Sequence, residues 1–264
     1  MSDTLNPLKG VSPPNWVDVT AVILAGGLGT RLRGVVADRP KCLAPILGRP
    51  FLAHQLDWLS SAGLSQILIS TGYMAEQVEE AIGASHQGLS IRYSRESQPI
   101  GTGGAVRLAA ESVQTPFMLV LNGDSFCNAD LNLLNAQFYS NGMAPTMLLT
   151  HVPEIARYGQ VTSDETHRVR KFLEKGSTGP GWINAGIYLL PKTEVLALPD
   201  GVSCSLERDL FPALADQNRL YAHQVKADFI DIGTPESYGM ADSFFGQFGK
   251  LIVPNSQKID QAKG

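Results

Sequence analysis

The stretch that most constrains this chain runs from Val22 to Lys41. It reads Val-Ile-Leu-Ala-Gly-Gly-Leu-Gly-Thr-Arg and closes on Asp-Arg-Pro-Lys. Thr20 to Leu24 is apolar and β-branched and ends in glycines, which predicts a buried strand. Gly26, Gly27 and Gly29 then let the backbone turn sharply and come close to a ligand. Successive backbone N–H groups without side chains in front of them can cup a phosphate. Arg31 adds a planar, forked cation suited to phosphate oxygens, and Lys41 is a second cation beside the loop. Leu24, Ala25, Gly26, Gly27, Gly29, Thr30 and Arg31 are therefore the expected nucleotide-phosphate site. Two better-known glycine motifs do not fit. The P-loop fails at its Gly-Lys, and the dinucleotide fingerprint fails where Leu32 stands in place of its last glycine.

Apolar strands alternating with amphipathic helices follow along the chain. Strands are expected at 67–70, 91–94, 117–121 and 146–152, and helices at 50–63, 75–82, 101–110 and 131–139. Such alternation argues for βαβ units and a mostly parallel sheet. The second half reads differently. Strands at 160–162, 168–174 and 184–190, separated by polar turns, suggest a β-rich insertion over the sheet. A helix at 206–215 and strands at 219–226 and 228–232 follow, and Thr234 caps a last helix with Pro235 at its first position. The expected organisation is a flexible extension over residues 1–19, one domain over 20–250 and a tail over 251–264. Trp16 and Val17 are candidates to pin the end of the extension. The fold class is α/β, with a Rossmann-like mixed sheet flanked by helices.

Two aspartates stand out. Asp124 ends the strand 117–121, at the edge where open α/β sheets place ligands. Asp231 lies between isoleucines, where an unpaired carboxylate is costly to bury. Their alternatives are ordinary ones, a loop cap for Asp124 and support of the Thr234 cap for Asp231. A second glycine loop, Gly101, Thr102, Gly103, opens a helix and offers either close packing or a surface against a base or ribose.

These pieces resemble sugar-1-phosphate nucleotidylyltransferases. The resemblance rests on Leu24–Arg31 with Pro40-Lys41, Gly101–Ala105, Leu121–Phe126, Arg157-Tyr-Gly159, Asn184–Tyr188 and Phe229–Pro235, and it spans residues 20–245. It implies the nucleotide-diphospho-sugar transferase fold with a β-rich sugar-side insertion. The implied catalytic residues are Arg31, Lys41 and Asp124, with Asn122 at the nucleotide. The implied metal is Mg2+, held jointly by Asp124 and Asp231, whose carboxylates repel when no metal lies between them. Gly159, Glu174, Lys175 and Asn184 match sugar-phosphate positions. The implied substrates are an NTP, GTP first, and a sugar 1-phosphate of the D-glycero-α-D-manno-heptose kind, in a route to surface glycans. Mannose 1-phosphate, or a uridylyl or thymidylyl donor, would suit the same chemistry, and a homo-oligomer would suit the family. The pattern is broken where Cys42 follows Lys41 in place of proline, and where Gly176 follows Lys175 in place of proline.

Other classes fit less well. Asp124 is followed by Ser125-Phe126, so the Asp-x-Asp metal motif of many glycosyltransferases is absent, and intact Arg31, Lys41, Asp124 and Asp231 speak against a silent regulatory homologue. Over 264 residues the net charge is −4, which gives no electrostatic reason to expect nucleic acid or an anionic membrane as partner. Cys42, Cys127 and Cys204 are an odd number without metal or disulfide spacing and are expected to be small buried side chains. No apolar run approaches the ~20 residues of a membrane span, and no signal core precedes the first strand. The expected compartment is the cytoplasm.

Overall fold

A computed structural model describes residues 15–32, 34–173 and 176–248. Its centre is an eight-stranded sheet. In spatial order the strands are Tyr221–Val225, Thr146–Val152, Gly181–Pro191, Phe117–Asn122, Val19–Leu24, Gln66–Thr71, Leu89–Arg95 and Ser85–His86. Val19–Leu24 pairs in parallel with Phe117–Asn122 on one side and with Gln66–Thr71 on the other. Gln66–Thr71 continues in parallel to Leu89–Arg95. Strand order therefore reverses between Val19–Leu24 and Phe117–Asn122, and a crevice opens there at the carboxyl ends of both strands. Leu24 and Asn122 are partners at that edge.

The apolar runs are continuous because both faces of the sheet are covered. Ala21, Ile23, Ile67, Ile69, Leu119 and Leu121 point into one core, closed by the helices Phe51–Ser61 and Leu131–Ser140. Val22, Leu68, Met118, Val120 and Tyr188 point into the other, closed by Gly101–Ser112 and Phe211–Asp216. The alternation follows the two-residue period of a strand.

Several expectations need correction. The strand expected at 184–190 is no part of an insertion. It runs as Gly181–Pro191 between Thr146–Val152 and Phe117–Asn122, antiparallel to both. The strand expected at 219–226 is present as Tyr221–Val225, at the edge of the main sheet and parallel to Thr146–Val152. The inserted β structure is the ribbon Gln160–Ser163 with Val169–Leu173. The expected helix 206–215 is split into a π-helical stretch, Leu206–Leu210, and an α-helix, Phe211–Asp216. Pro212 has no N–H with which to continue the helical ladder. Of the N-terminal segment, only residues from 15 onward are described. Trp16 is buried and its Nε1 donates to Asn132 Oδ1 at 3.0 Å, whereas Val17 is exposed. Trp16 alone is the pin. The tail at 251–264 lies outside the described residues. No helix among the described residues is long and apolar enough to cross a membrane.

One buried amide ties the core to the crevice. Gln55, in the helix Phe51–Ser61, is 1% exposed, and its Nε2 donates to the carbonyls of both Asn122 and Ser125 at 2.9 Å. These two residues bracket Gly123 and Asp124. Gln55→Leu keeps the side chain's size and strands two buried acceptors, at about 1–3 kcal/mol each when unsatisfied. Urea unfolding should show a loss of about 2 kcal/mol or more, and a wild-type midpoint would remove Gln55 from the support of this loop.

Candidate active site

The crevice is built from three strand ends and one ribbon. Leaving Val19–Leu24, the chain passes through Ala25, whose N–H donates to the Ser70 carbonyl at 2.8 Å, and enters the glycine loop. Across the switch point, the Gly123 N–H donates to the Leu24 carbonyl at 2.9 Å. A Cβ on Gly123 would lie 2.5 Å from that oxygen, so only glycine lets the two strand ends close together. Ser125–Cys127 then pairs antiparallel with Phe229–Asp231, placing Asp231 opposite Ser125. The Ile232 N–H donates to the Asp124 carbonyl at 2.9 Å. Two aspartates more than a hundred positions apart are thus neighbours across a two-stranded ribbon.

The cations meet them there. Lys41 Nζ lies 2.7 Å from Asp124 Oδ2, and the lysine side chain is only 11% exposed. Lys41 sits on a short 3-10 turn, Lys41–Leu43, seated on buried Cys42 and Leu43. Arg157 Nη2 lies 3.2 Å from both oxygens of Asp231, and Tyr158 donates its hydroxyl to Asp231 Oδ2 at 2.6 Å. Burial first, then this bond to a carboxylate, pushes the Tyr158 phenol upward, so it stays a donor. The Gly233 N–H donates to Asp231 Oδ1 at 2.9 Å. A Cβ on Gly233 would find Asp231 Oδ1 at 2.6 Å, Lys41 Nζ at 3.4 Å and Arg31 Nη2 at 3.7 Å, so both cations and the second carboxylate converge on one point. The expected repulsion between the aspartates is met by giving each carboxylate its own cation. Asp231 accepts from Gly233 and from the 157–158 turn, while the Thr234 cap closes with Ser237.

Three cavities meet at Asp124. The first is lined by Leu24, Ala25, Gly27, Gly29, Thr30, Arg31, Lys41, Cys42 and Gly233. The second, of about 290 Å³, lies between Gly26, Gly27 and Leu28 on one side and Glu96, Pro99, Gly101 and Thr102 on the other, with Asn122 at its floor. The third, of about 500 Å³, is bounded by Arg31, Asn122, Arg157, Tyr158, Asn184, Gly186 and Asp231. Asn184 sits at an irregularity in Gly181–Pro191. Its Nδ2 donates to the Tyr188 hydroxyl at 2.8 Å and its Oδ1 accepts from the Gly186 N–H at 2.8 Å. Gly186 has φ +75°, and a Cβ there would press on Asn122 and Ser125.

Most of the residues singled out in the sequence thus line one continuous cleft. Gly103 and Gly159 do not line its walls. Gly103 is buried, its N–H donates to the Cys204 carbonyl at 2.9 Å, and a Cβ would strike Cys204 Sγ at 2.7 Å. Gly159 closes a turn on the Ile155 carbonyl, while its neighbours Arg157 and Tyr158 face the cleft. Glu174 and Lys175 lie outside the described residues. All three cysteines are free and buried. Burial pushes the Cys42 thiol up to about 12, which keeps it protonated and unreactive at the cleft floor. Glu96, on the wall of the second cavity, has no motif in the sequence to mark it. Gln55 carried none, because its partners are backbone atoms far along the chain.

Comparison with known proteins gives the family. Residues 20–247 fit the model of the Nucleotidyl transferase family. The chain belongs to that family. The motif resemblance to sugar-1-phosphate nucleotidylyltransferases is borne out by individual relatives. A D-glycero-alpha-D-manno-heptose 1-phosphate guanylyltransferase of Aneurinibacillus thermoaerophilus is 37% identical over 221 residues, covering 84% of this chain and 96% of the relative. A mannose-1-phosphate guanylyltransferase of Mycobacterium tuberculosis is 38% identical, covering 85% of this chain but 64% of that longer protein. Among solved structures, HddC from Yersinia pseudotuberculosis superposes with a TM-score of 0.76 at 33% identity, over 86% of this chain and 99% of that one. A second structure of HddC is a complex with GMP-PN. The expected nucleotidyltransferase fold, a mixed and mostly parallel sheet flanked by helices, is confirmed.

Proposed function

We propose that this chain transfers GMP from GTP to a sugar 1-phosphate, with D-glycero-α-D-manno-heptose 1-phosphate as the sugar, releasing pyrophosphate and forming a GDP-sugar. The observation that carries the reading is the convergence of Arg31, Lys41, Asp124 and Asp231 where the three cavities meet. The near-full-length heptose relative and the nucleotide complex of HddC support the choice of donor and sugar. The mannose 1-phosphate enzymes are the second reading, favoured by a similar identity to the Mycobacterium relative.

The chemistry is an in-line displacement at the α-phosphorus by an oxygen of the sugar phosphate. That oxygen is already an anion, so no general base is needed. The work is to hold two polyanions together and to neutralise charge moving onto the leaving pyrophosphate. In this assignment the triphosphate lies over Gly27, Gly29 and Thr30, with Arg31 clamping its pyrophosphate part. The base enters the cavity between Gly26 and Gly101. The sugar phosphate takes the cavity of Arg157, Tyr158 and Asn184. Lys41 stands between them, at the phosphate that moves. Glu174 and Lys175 keep their assignment to the sugar and its phosphate.

Asp124 and Asp231 fit a hard divalent cation. Asp231 ends one strand of the ribbon and Asp124 directly precedes the other, its carbonyl bonded to Ile232, and the Asp124 side chain is 43% exposed. Mg2+ held there would supply Lewis-acid neutralisation of the phosphate oxygens.

Three outcomes test the reading. In a matrix of four triphosphates against several sugar 1-phosphates, read as pyrophosphate release, GTP with the heptose 1-phosphate should give the highest kcat/KM. A uridylyl or thymidylyl donor ahead by more than ~tenfold, about 1.4 kcal/mol, would sink the guanylyl assignment.

Lys41→Met keeps most of the stem and removes the charge. Its kcat should fall by roughly 10²- to 10³-fold, the range for deleting one transition-state donor. Wild-type turnover in a folded variant would place Lys41 outside the chemistry.

Asp231→Asn should cost about 10³-fold in kcat, about 4 kcal/mol, and raise the Mg2+ concentration needed for half activity. Excess EDTA should stop the wild type and added Mg2+ should restore it. Full activity in EDTA is the outcome that overturns the metal assignment.

A further inference from the structure

Tyr188 is fully buried, its ring 4.5 Å from that of Phe211. A phenol so placed needs partners for both its oxygen and its proton. The oxygen accepts from Asn184 Nδ2 at 2.8 Å. The amide cannot be turned the other way, because its Oδ1 already takes the Gly186 N–H at 2.8 Å. The Tyr188 proton must therefore go elsewhere, and Glu207 is the carboxylate that accepts it. Burial first, then the charge of Glu207, pushes the phenol well above its ordinary value, so it stays a donor.

Glu207 is itself held in place. It stands in the first turn of the π-helical stretch Leu206–Leu210, and its Oε2 accepts from the hydroxyls of Thr102 and Ser205, both at 2.8 Å. Thr102, its proton given away, accepts the Leu206 N–H at 2.9 Å. The Cys204 N–H donates to the Ile100 carbonyl at 3.0 Å. The segment that carries Glu207 is thus fastened to the second glycine loop at several points. From that anchorage one carboxylate acts, through Tyr188, on the wall of the third cavity, which Asn184 lines.

We propose that Glu207 is a positioning residue for the sugar 1-phosphate: through the Tyr188 hydroxyl it fixes the Asn184 amide so that the second Nδ2 hydrogen stays free for the sugar cavity. This role rests on the assignment of that cavity to the sugar 1-phosphate. An ionised carboxylate only accepts hydrogen bonds, so Glu207 sets the direction of every bond in the chain. Tyr188 must donate to it, the Tyr188 oxygen must then accept, and Asn184 must face that oxygen with Nδ2. The amide nitrogen carries two hydrogens, and the one left over suits an oxygen of the sugar 1-phosphate. A neutral amide at position 207 breaks this order. Its N–H can donate to the Tyr188 oxygen, which sends the Tyr188 proton toward Asn184. The Asn184 amide would then have to turn and set Nδ2 against the Gly186 N–H. Glu207→Gln keeps one carbonyl oxygen for Thr102 and Ser205, so the fastening to the glycine loop survives.

The test uses the triphosphate and the sugar 1-phosphate that serve the wild type best. It measures kcat and both KM values for Glu207→Gln, Tyr188→Phe and the double variant, with the thermal midpoint of each. A contact made equally in the ground and transition states shows in KM. Each single variant should raise the KM for the sugar 1-phosphate roughly tenfold, the scale of one hydrogen bond, and leave kcat and the KM for the triphosphate within about twofold. The double variant should be no worse than either single one, because both act through the same hydroxyl. A merely structural role would lower the thermal midpoint without singling out one substrate. A folded Glu207→Gln or Tyr188→Phe enzyme that keeps the wild-type KM for the sugar 1-phosphate overturns the inference alone, and so do losses that multiply in the double variant. If Glu207→Gln does not fold, Tyr188→Phe decides by itself. A wild type that turns over no sugar 1-phosphate with any triphosphate defeats the transferase reading, before any variant is made.

Discussion

The short ribbon that pairs Ser125–Cys127 with Phe229–Asp231 is the interaction on which the rest of the cleft depends. Without it, Asp231 would belong to a loop beyond the far edge of the sheet, and Asp124 would end a strand with nothing opposite. The ribbon is anchored from below by Gln55, which holds the carbonyls on either side of Gly123 and Asp124. It is anchored from above by the Ile232 N–H on the Asp124 carbonyl. Phe126, on its inner face, packs against Trp58 and Phe245 at ring separations of 5.2 and 5.0 Å. Polar geometry at the rim is therefore fixed by an aromatic core beneath it. Small shifts in that core are transmitted directly to the carboxylates, because interiors packed at crystal-like density do not absorb them.

The resting arrangement of charge also follows from this ribbon. Lys41 is largely buried, and a buried ammonium needs a counter-charge close at hand. Asp124 supplies it at 2.7 Å. Arg157 and Asp231 form a second pair nearer to solvent, with the arginine side chain 44% exposed. An ion pair so exposed holds its partners by only about 0–1 kcal/mol. Arg157 can thus leave Asp231 at little expense. The Tyr158 hydroxyl, whose bond to Asp231 is better buried, keeps that carboxylate oriented. The site is preorganised where it is dry and exchangeable where it is wet.

Legibility in the sequence followed the range of the interactions. The strand at 146–152 and the helix at 75–82 were readable to the residue, because period and composition are local. The glycine loop, both cations and both aspartates could be named for the same reason. The place of Gly181–Pro191 in the middle of the sheet could not be read, since pairing with Phe117–Asn122 is decided by contacts far away along the chain. The same holds for Gln55, whose partners are carbonyls without a sequence signature. Pro212 is plain in the sequence, and where the periodicity predicts one helix over 206–215 the chain forms a π-helical stretch ahead of it. Arg157 and Tyr158 were seen as part of a motif, but the carboxylate they hold became visible only in three dimensions.

The glycines show why composition alone misleads about such a cleft. Gly27 has nothing within 4 Å of a would-be Cβ and stands open to the cleft. Gly26 yields its space to Glu96, Gly123 to the Leu24 carbonyl, and Gly101 to the Cys204 carbonyl. The two glycine loops thus serve two purposes at once. One set of missing side chains leaves the cleft open, and the other draws strand and helix ends together. Rigidity is what an in-line displacement between two repelling anions requires, since its barrier is lowered by positions held before the substrates arrive. A substitution at Gly123 or Gly101 would therefore damage the cleft without touching substrate, by forcing apart backbone atoms that now lie in contact.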